Sequence, residues 1–316
     1  MMNVTIAGVG FIGRAWAITF ARGGCRVALW ARRPEAAHNA LGPIEDILPS
    51  LEEQDLLCGL SADDILDNIS VQPDFEQAIG GASFVQENIA EDTEVKREFF
   101  ARMDAVAGPD TILASSSSAI LPSHFTESLT GRNRCLVVHP INPPFLVPAT
   151  EVVPASWTDQ AVVDRSADLM RKIGQVPIVI RREIAGFVMN RLQGAVLQEA
   201  FRLVSDGFAD AEDIDIGLRD GLALRWAVMG PFETIDLNAP AGIRQYAERY
   251  EPLYESLFES QTRRVPWTGD VLDKLESTRR GLLPQDQLEQ RRLWRDMMLA
   301  RLRGAKTKAQ RDLDRA

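Results

Sequence analysis

Three cysteines in 316 residues, Cys25, Cys58 and Cys135, are too scattered and odd in number for a disulfide framework or a metal knuckle. They read as small apolar fillers, and no metal site is expected. No apolar run approaches the roughly 20 residues that a membrane helix requires, so no membrane partner is expected. The N-terminus enters a strand-like segment almost at once, leaving no room for a signal peptide, and a cytoplasmic location follows as the default. Positive charge is also in short supply. The formal net charge of −10 argues against nucleic acid or an anionic membrane as a partner. An anionic ligand therefore has to be drawn by a local cationic cluster. Internal repeats and low-complexity tracts are absent. What remains is an ordinary globular composition, 45% hydrophobic and long enough for two domains.

The first half alternates short β-branched runs with amphipathic segments. VTIAGV, RVALW, SVQP, ASFVQEN, TILASSS and RCLVVHP each read as a buried strand, with helix-like stretches between several of them. That order implies βαβ units and a doubly wound, mainly parallel sheet of Rossmann type in an α/β fold. IAGFVMNRLQGAVLQEAFRLVSDG changes character: its apolar residues recur at spacings of three and four, and Gly207 stands where the helix should stop. From there onward the sequence reads as helices only. We place the boundary near Glu183, with a dinucleotide-binding domain over 1–183 and an all-helical domain over 184–316. The final charged segment, LEQRRLWRDMMLARLRGAKTKAQRDLDRA, reads as an amphipathic helix with a solvated tail.

Gly8, Gly10 and Gly13 form G-x-G-x-x-G, with Phe11 and Ile12 between the last two, directly after a strand and before the helix-like AWAITFARGG. Gly8 permits the tight turn, Gly10 lets a pyrophosphate approach the backbone, and Gly13 lets helix and strand pack closely. Phosphates would sit on the helix N-terminus, where free N–H groups and the dipole favour negative charge.

One residue expected in such a site is missing. The second strand normally ends in an acid that binds the ribose hydroxyls of NAD, but here RVALW is followed by Ala31, Arg32 and Arg33. Ala31 removes the repulsion that an acid would exert on the 2′-phosphate of NADP. Arg32 and Arg33 can bind that phosphate in bidentate fashion and stack on adenine. NADP is therefore the preferred cofactor. The alternative is NAD, with both arginines as solvated loop residues.

LASSSSAILPS follows one strand, VVHPINPP another, TEVVP continues from it, and GFVMNR opens the long helix. With these motifs in order, the chain resembles the short-chain 3-hydroxyacyl-CoA dehydrogenases. More narrowly it resembles the λ-crystallin branch, whose enzymes act as L-gulonate 3-dehydrogenases on free hydroxy acids. The likeness also takes in KIGQVP, GFVMNRLQ, GPFET and RRLWRD, and so covers nearly the whole chain.

The resemblance implies a catalytic group of Ser118, His139, Glu151 and Asn190. His139 would be the general base, since imidazole changes charge near neutral pH. Glu151 would hold its tautomer and stabilise the imidazolium. Ser118 and Asn190 would bind the substrate oxygen, with Asn190 also orienting the substrate. Glu91 and Lys96 would approach the cofactor. Arg225, in GLALRWAVMGPFET, matches an arginine of the gulonate-type enzymes where CoA-using relatives carry an uncharged residue. It would bind a substrate carboxylate through two parallel hydrogen bonds, unless it caps a helix or bridges a dimer. As a costly buried cation it should reach the cleft or meet an acid. Three functional classes follow: a dehydrogenase of a small free 3-hydroxy acid, a 3-hydroxyacyl-CoA dehydrogenase, and a non-enzymatic crystallin-like or redox-sensing protein. The family likeness and the apolar surface of GFVMNRLQGAVLQEAFRLV together imply a homodimer through the helical domain.

Overall fold

The β-branched segments assemble into one eight-stranded sheet in the computed structural model, which describes residues 1–314. The strands are β1 (Asn3–Ala7), β2 (Arg26–Trp30), β3 (Ile69–Val71), β4 (Phe84–Glu87), β5 (Ile112–Ser115), β6 (Cys135–Pro140), β7 (Ala149–Pro154) and β8 (Val176–Val179). Their spatial order is β3-β2-β1-β4-β5-β6-β7-β8, parallel throughout except that β6 and β7 run antiparallel. Strands are added outward in one direction from β1 to β3 and in the other from β4 onward, so the crevice beyond the carboxyl ends of the parallel β1 and β4 is the switch point at which open α/β sheets bind ligands.

Helices α1 (Phe11–Arg22), α2 (Pro34–Asn39), α3 (Leu41–Glu53), α4 (Ala62–Asp67), α5 (Phe75–Gly80), α6 (Thr93–Val106), α7 (Pro122–Thr126) and α8 (Gln160–Lys172) join the strands. Leu136 and Val138 face one hydrophobic cluster while Cys135 and Val137 face another, the alternation of a strand buried on both sides. All six strands read from the sequence form. TEVVP lies in β7, and the short edge strand β8 carries Pro177 and exposed Val176 and Val179, which weaken its signal.

The chain divides into two compact units, and the division differs from the sequence boundary in two respects. The first unit is Met1–Val188 together with the segment from Arg291 onward, and the second is Met189–Gln290. Residues 184–188 do not continue the long helix backward. Gly186 and Phe187 take φ values of 77° and 49°, and the Phe187 ring is fully buried in the second hydrophobic cluster. The helix α9 (Met189–Ser205) starts only after this turn and ends before Gly207, whose φ is 73°.

The second unit continues with α10 (Ala211–Ile216), α11 (Ala223–Trp226), α12 (Pro231–Leu237), α13 (Ile243–Thr262) and α14 (Asp270–Leu282). The last helix, α15 (Leu288–Asp314), was expected with this helical domain, but from Arg291 onward it belongs to the first unit. Ala300 is buried in the first hydrophobic cluster, and the Arg303 guanidinium donates to the carbonyls of Phe145 and Gly174 at 2.6 and 3.2 Å. Periodicity reveals an apolar stripe but not which body covers it. Residues 315–316 of the tail lie outside the described residues. Among the described residues no helix is long and apolar enough to cross a membrane.

Candidate active site

Gly8 leaves β1 with a φ of 101°, and a Cβ there would stand 2.6 Å from the Asn88 carbonyl oxygen. A Cβ on Gly13 would stand 1.9 Å from the Gly8 oxygen. Side chains are excluded at both positions by backbone. Gly10 differs: a Cβ there would meet nothing within 4 Å, so its backbone faces open space. It is also the N-cap of the twelve-residue α1, without a side-chain cap and with no acid in the first turn. Uncapped N–H groups and the dipole suit a phosphate at this end. Gly8, Gly10, Phe11, Ile12 and Gly13 therefore fit the pyrophosphate of a dinucleotide.

A cleft of about 360 Å³ continues from Gly8 along the end of β2. Trp30, Ala31 and Arg32 line one part of it, and Ile89, Ala90, Val95, Glu98, Phe99 and Arg102 line the rest. Trp30 stacks on Phe99 at 5.5 Å between centroids and meets Phe75 edge-on at 5.0 Å. The second predicted arginine, Arg33, is the exposed N-cap residue of α2 and does not line the cleft. Glu98 and Arg102 escaped the sequence reading. With Val95 and Phe99 they form one stripe of the helix that follows β4, a spacing legible in the sequence although the cleft it faces is not.

Glu91 and Lys96 belong to a network beneath the loop after β5. Glu87, at the end of β4, and Lys96 are 0% and 1% exposed, with Lys96 Nζ 2.9 Å from both Glu87 carboxylate oxygens. The parallel register sets Ser115 beside Glu87, and its hydroxyl donates to Glu87 Oε2 at 2.5 Å. Burial pushes the Glu87 carboxyl above its usual range, against the pull of Lys96 and the Ser115 hydroxyl. Glu91 Oε1 accepts from the Ser117 hydroxyl and the N–H groups of Ser118 and Ala119 at 2.6, 2.9 and 3.1 Å, and Oε2 lies 3.4 Å from Lys96. Partial burial pushes Glu91 upward too, but the Ser117 hydrogen bond, the Lys96 charge and the two N–H donors hold it below its ordinary value. The Lys96 ammonium is turned into the protein toward Glu87, and Glu91 shapes the loop that carries Ser118. Neither lines the cleft beyond β2.

His139 and Glu151 stand directly opposite each other in the antiparallel β6–β7 ladder. Opposed residues of such a pair share a face of the sheet. His139 Nδ1 is 2.7 Å from Glu151 Oε2, and the other oxygen, Oε1, accepts from the Val188 N–H at 2.7 Å. Glu151 is fully buried and His139 nearly so, with the Phe187 ring 5.6 Å from the imidazole. The turn before α9 thus contributes a backbone donor and an aromatic wall, neither of which follows from the apolar period of 184–207. Ser118 lies on the exposed loop past β5, at the same end of the sheet as His139 on the neighbouring β6.

Asn190 and Arg225 belong to the second unit, in the first turn of α9 and in α11. Arg225 is exposed in the single chain. Among the described residues no group of three or more His, Cys, Asp or Glu side chains could hold a metal ion.

Known proteins share both halves of this architecture. The model of the 3-hydroxyacyl-CoA dehydrogenase NAD-binding domain matches residues 3–184, and that of the C-terminal domain matches residues 186–282. Rabbit (Oryctolagus cuniculus) lambda-crystallin is 40% identical over 311 residues, covering 98% of this chain and 97% of that protein. An L-carnitine dehydrogenase of Pseudomonas putida is 34% identical over 273 residues, covering 85% and 81% respectively. Among solved structures, an NAD+-dependent dismutase, 5-formyl-3-hydroxy-2-methylpyridine 4-carboxylic acid 5-dehydrogenase, superposes with a TM-score of 0.83 at 27% identity, covering 96% of this chain and 97% of that one. With a dinucleotide-binding first unit and both family domains in order, the chain is an oxidoreductase and belongs to the 3-hydroxyacyl-CoA dehydrogenase family.

Proposed function

We propose that this dehydrogenase acts on the 3-hydroxyl of a small free 3-hydroxy acid and takes NADP(H) in preference to NAD(H). The observation that carries the chemistry is the buried His139–Glu151 pair at the carboxyl end of the sheet. An ionised Glu151 accepts a proton donor at Nδ1, which leaves Nε2 with its lone pair as the base. In the oxidation direction His139 Nε2 takes the proton from the substrate hydroxyl. The imidazolium so formed is stabilised by the carboxylate 2.7 Å away. A bound nicotinamide would supply the hydride acceptor for the carbon that carries that hydroxyl. Ser118 and Asn190 hydrogen-bond the substrate oxygen, where charge builds up, and Arg225 receives the substrate carboxylate.

The free-acid reading draws on the relatives, since the L-carnitine named for one of them is itself a free 3-hydroxy acid. The NADP reading draws on the cleft, where a small neutral Ala31 and Arg32 stand in place of an acid. A homodimer through the second unit completes the proposal. No residue of α13 or α14 is buried, and Leu192 and Phe232 are 62% and 75% exposed in the single chain. Such apolar exposure favours a partner surface.

The test is a spectrophotometric screen of free 3-hydroxy acids and their CoA thioesters with both cofactors. The expected result is turnover of a free acid with NADP+. Efficient turnover of 3-hydroxybutyryl-CoA, with no free acid used, would transfer the assignment to the thioester chemistry.

A further inference from the structure

Arg102 is the second cation of the cleft that holds Arg32. It sits in the third turn of α6, and its guanidinium lies 4.5 Å from the centroid of the Phe75 ring. That ring is fixed in turn by Trp30 at 5.0 Å and Phe99 at 5.8 Å. Stacking on an aromatic ring uses the face of the guanidinium and leaves its N–H edge for an acceptor. Glu98 precedes Arg102 by one helical turn and lines the same cleft. Acid and base at this spacing commonly join on a helix surface, but no hydrogen bond or ion pair joins these two, and Arg102 meets no carboxylate among the described residues.

The charged lining of the cleft is therefore Arg32 and Arg102 against Glu98, a net charge of one positive. With Arg102 removed, the remaining pair is neutral. The aromatic support keeps the second cation from collapsing onto Glu98, so the cleft keeps its preference for an anion although the protein as a whole is acidic.

We propose that Arg102 is a specificity-determining residue, forming with Arg32 a two-sided clamp for a phosphate monoester on the adenosine ribose. Glu98 opposes that phosphate and limits its affinity. The inference rests on the reading that this cleft takes the adenosine end of NADP. It assigns the phosphate contact to a residue on α6, far along the chain from the end of β2 where such contacts are sought.

Fluorescence titration of the full-length protein with NADPH, NADH and 2′,5′-ADP tests it, using Arg102→Leu, Arg102→Lys, Arg32→Leu and Glu98→Gln. Arg102→Leu is expected to weaken NADPH and 2′,5′-ADP by roughly tenfold or more, the scale of one charged hydrogen bond, with NADH changed by no more than about twofold. Arg102→Lys, which keeps the charge but not the planar fork, should fall between the two. Glu98→Gln should tighten NADPH and spare NADH, and this variant leaves the aromatic stack untouched should Arg102→Leu fold poorly. If the unaltered protein favours NADPH but Arg102→Leu weakens both dinucleotides alike or neither, the clamp is overturned and Arg32 alone carries the NADP preference. If the unaltered protein favours NADH, the NADP reading falls and the clamp with it.

Discussion

Glu151 accepts a hydrogen bond on each carboxylate oxygen, from His139 Nδ1 and from the Val188 N–H, both at 2.7 Å. The first donor sits opposite it on the neighbouring strand, while the second belongs to the turn that leads into α9. A buried carboxylate with both oxygens engaged keeps its orientation. His139 thereby inherits a fixed ring plane and a fixed tautomer.

His139→Gln should lower kcat by at least roughly a hundredfold, the usual worth of a positioned general base. Cofactor Kd should stay within a few-fold, because the base serves the reacting carbon and not the adenosine end. Glu151→Gln should also lower kcat severely, since orientation and charge stabilisation weaken together. Steady-state kinetics with cofactor titration would check both, and near-normal kcat in either variant would remove the pair from the mechanism.

Phe187 combines full burial with a φ of 49°, a region that costs an L-residue but not glycine. Truncation to Ala should cost about 3 kcal/mol for the lost ring. Phe187→Gly removes the same ring but relieves the backbone, so it should be at least as stable as Phe187→Ala, by up to about 1 kcal/mol. In ordinary backbone the order would be reversed. Urea unfolding of the two variants decides it, and a clearly more stable alanine variant would refute the strained turn.

Glu91 and Glu87 give opposite responses to acid. Glu91 titrates below the ordinary glutamate value of 4.5, so its contribution to stability is fully present above that pH and is lost as pH falls through its lower folded value. Glu87 is raised by burial, so its protonation on acidification favours the folded state relative to the unfolded chain. The unaltered protein should thus lose melting temperature between pH 5 and 3 more steeply than Glu91→Gln, which lacks the depressed carboxylate. Identical acid limbs in calorimetry would show that the hydrogen bonds around Ser117–Ala119 contribute nothing.

Arg225 is exposed in the single chain, so replacing it carries little folding cost. Arg225→Met should raise KM for a free 3-hydroxy acid by roughly tenfold or more, the loss of one charged hydrogen bond, and leave the proposed dimer intact in light scattering. A monomer with unchanged KM would make Arg225 an interface residue instead.

The sequence by itself determined the doubly wound sheet, the glycine loop and the missing acid at Ala31, because each rests on local periodicity or on a short motif whose geometry is set by adjacent residues. Gly207 as a helix stop was legible for the same reason. Arg32 could be read from its place after β2, but Arg102 could not, since only the docking of α6 beside the end of β2 brings the two to one cleft. The antiparallel register sets His139 opposite Glu151, and register depends on the pairing of strands that no local pattern specifies. Burial turned Lys96 toward Glu87, and chain reversal returned the last helix to the first unit. A charged side chain reads alike in sequence whether it faces water or a buried carboxylate, and an apolar stripe does not name its partner. Long-range packing decides both, because the free energy of burying charge or apolar surface depends on what the rest of the chain brings alongside.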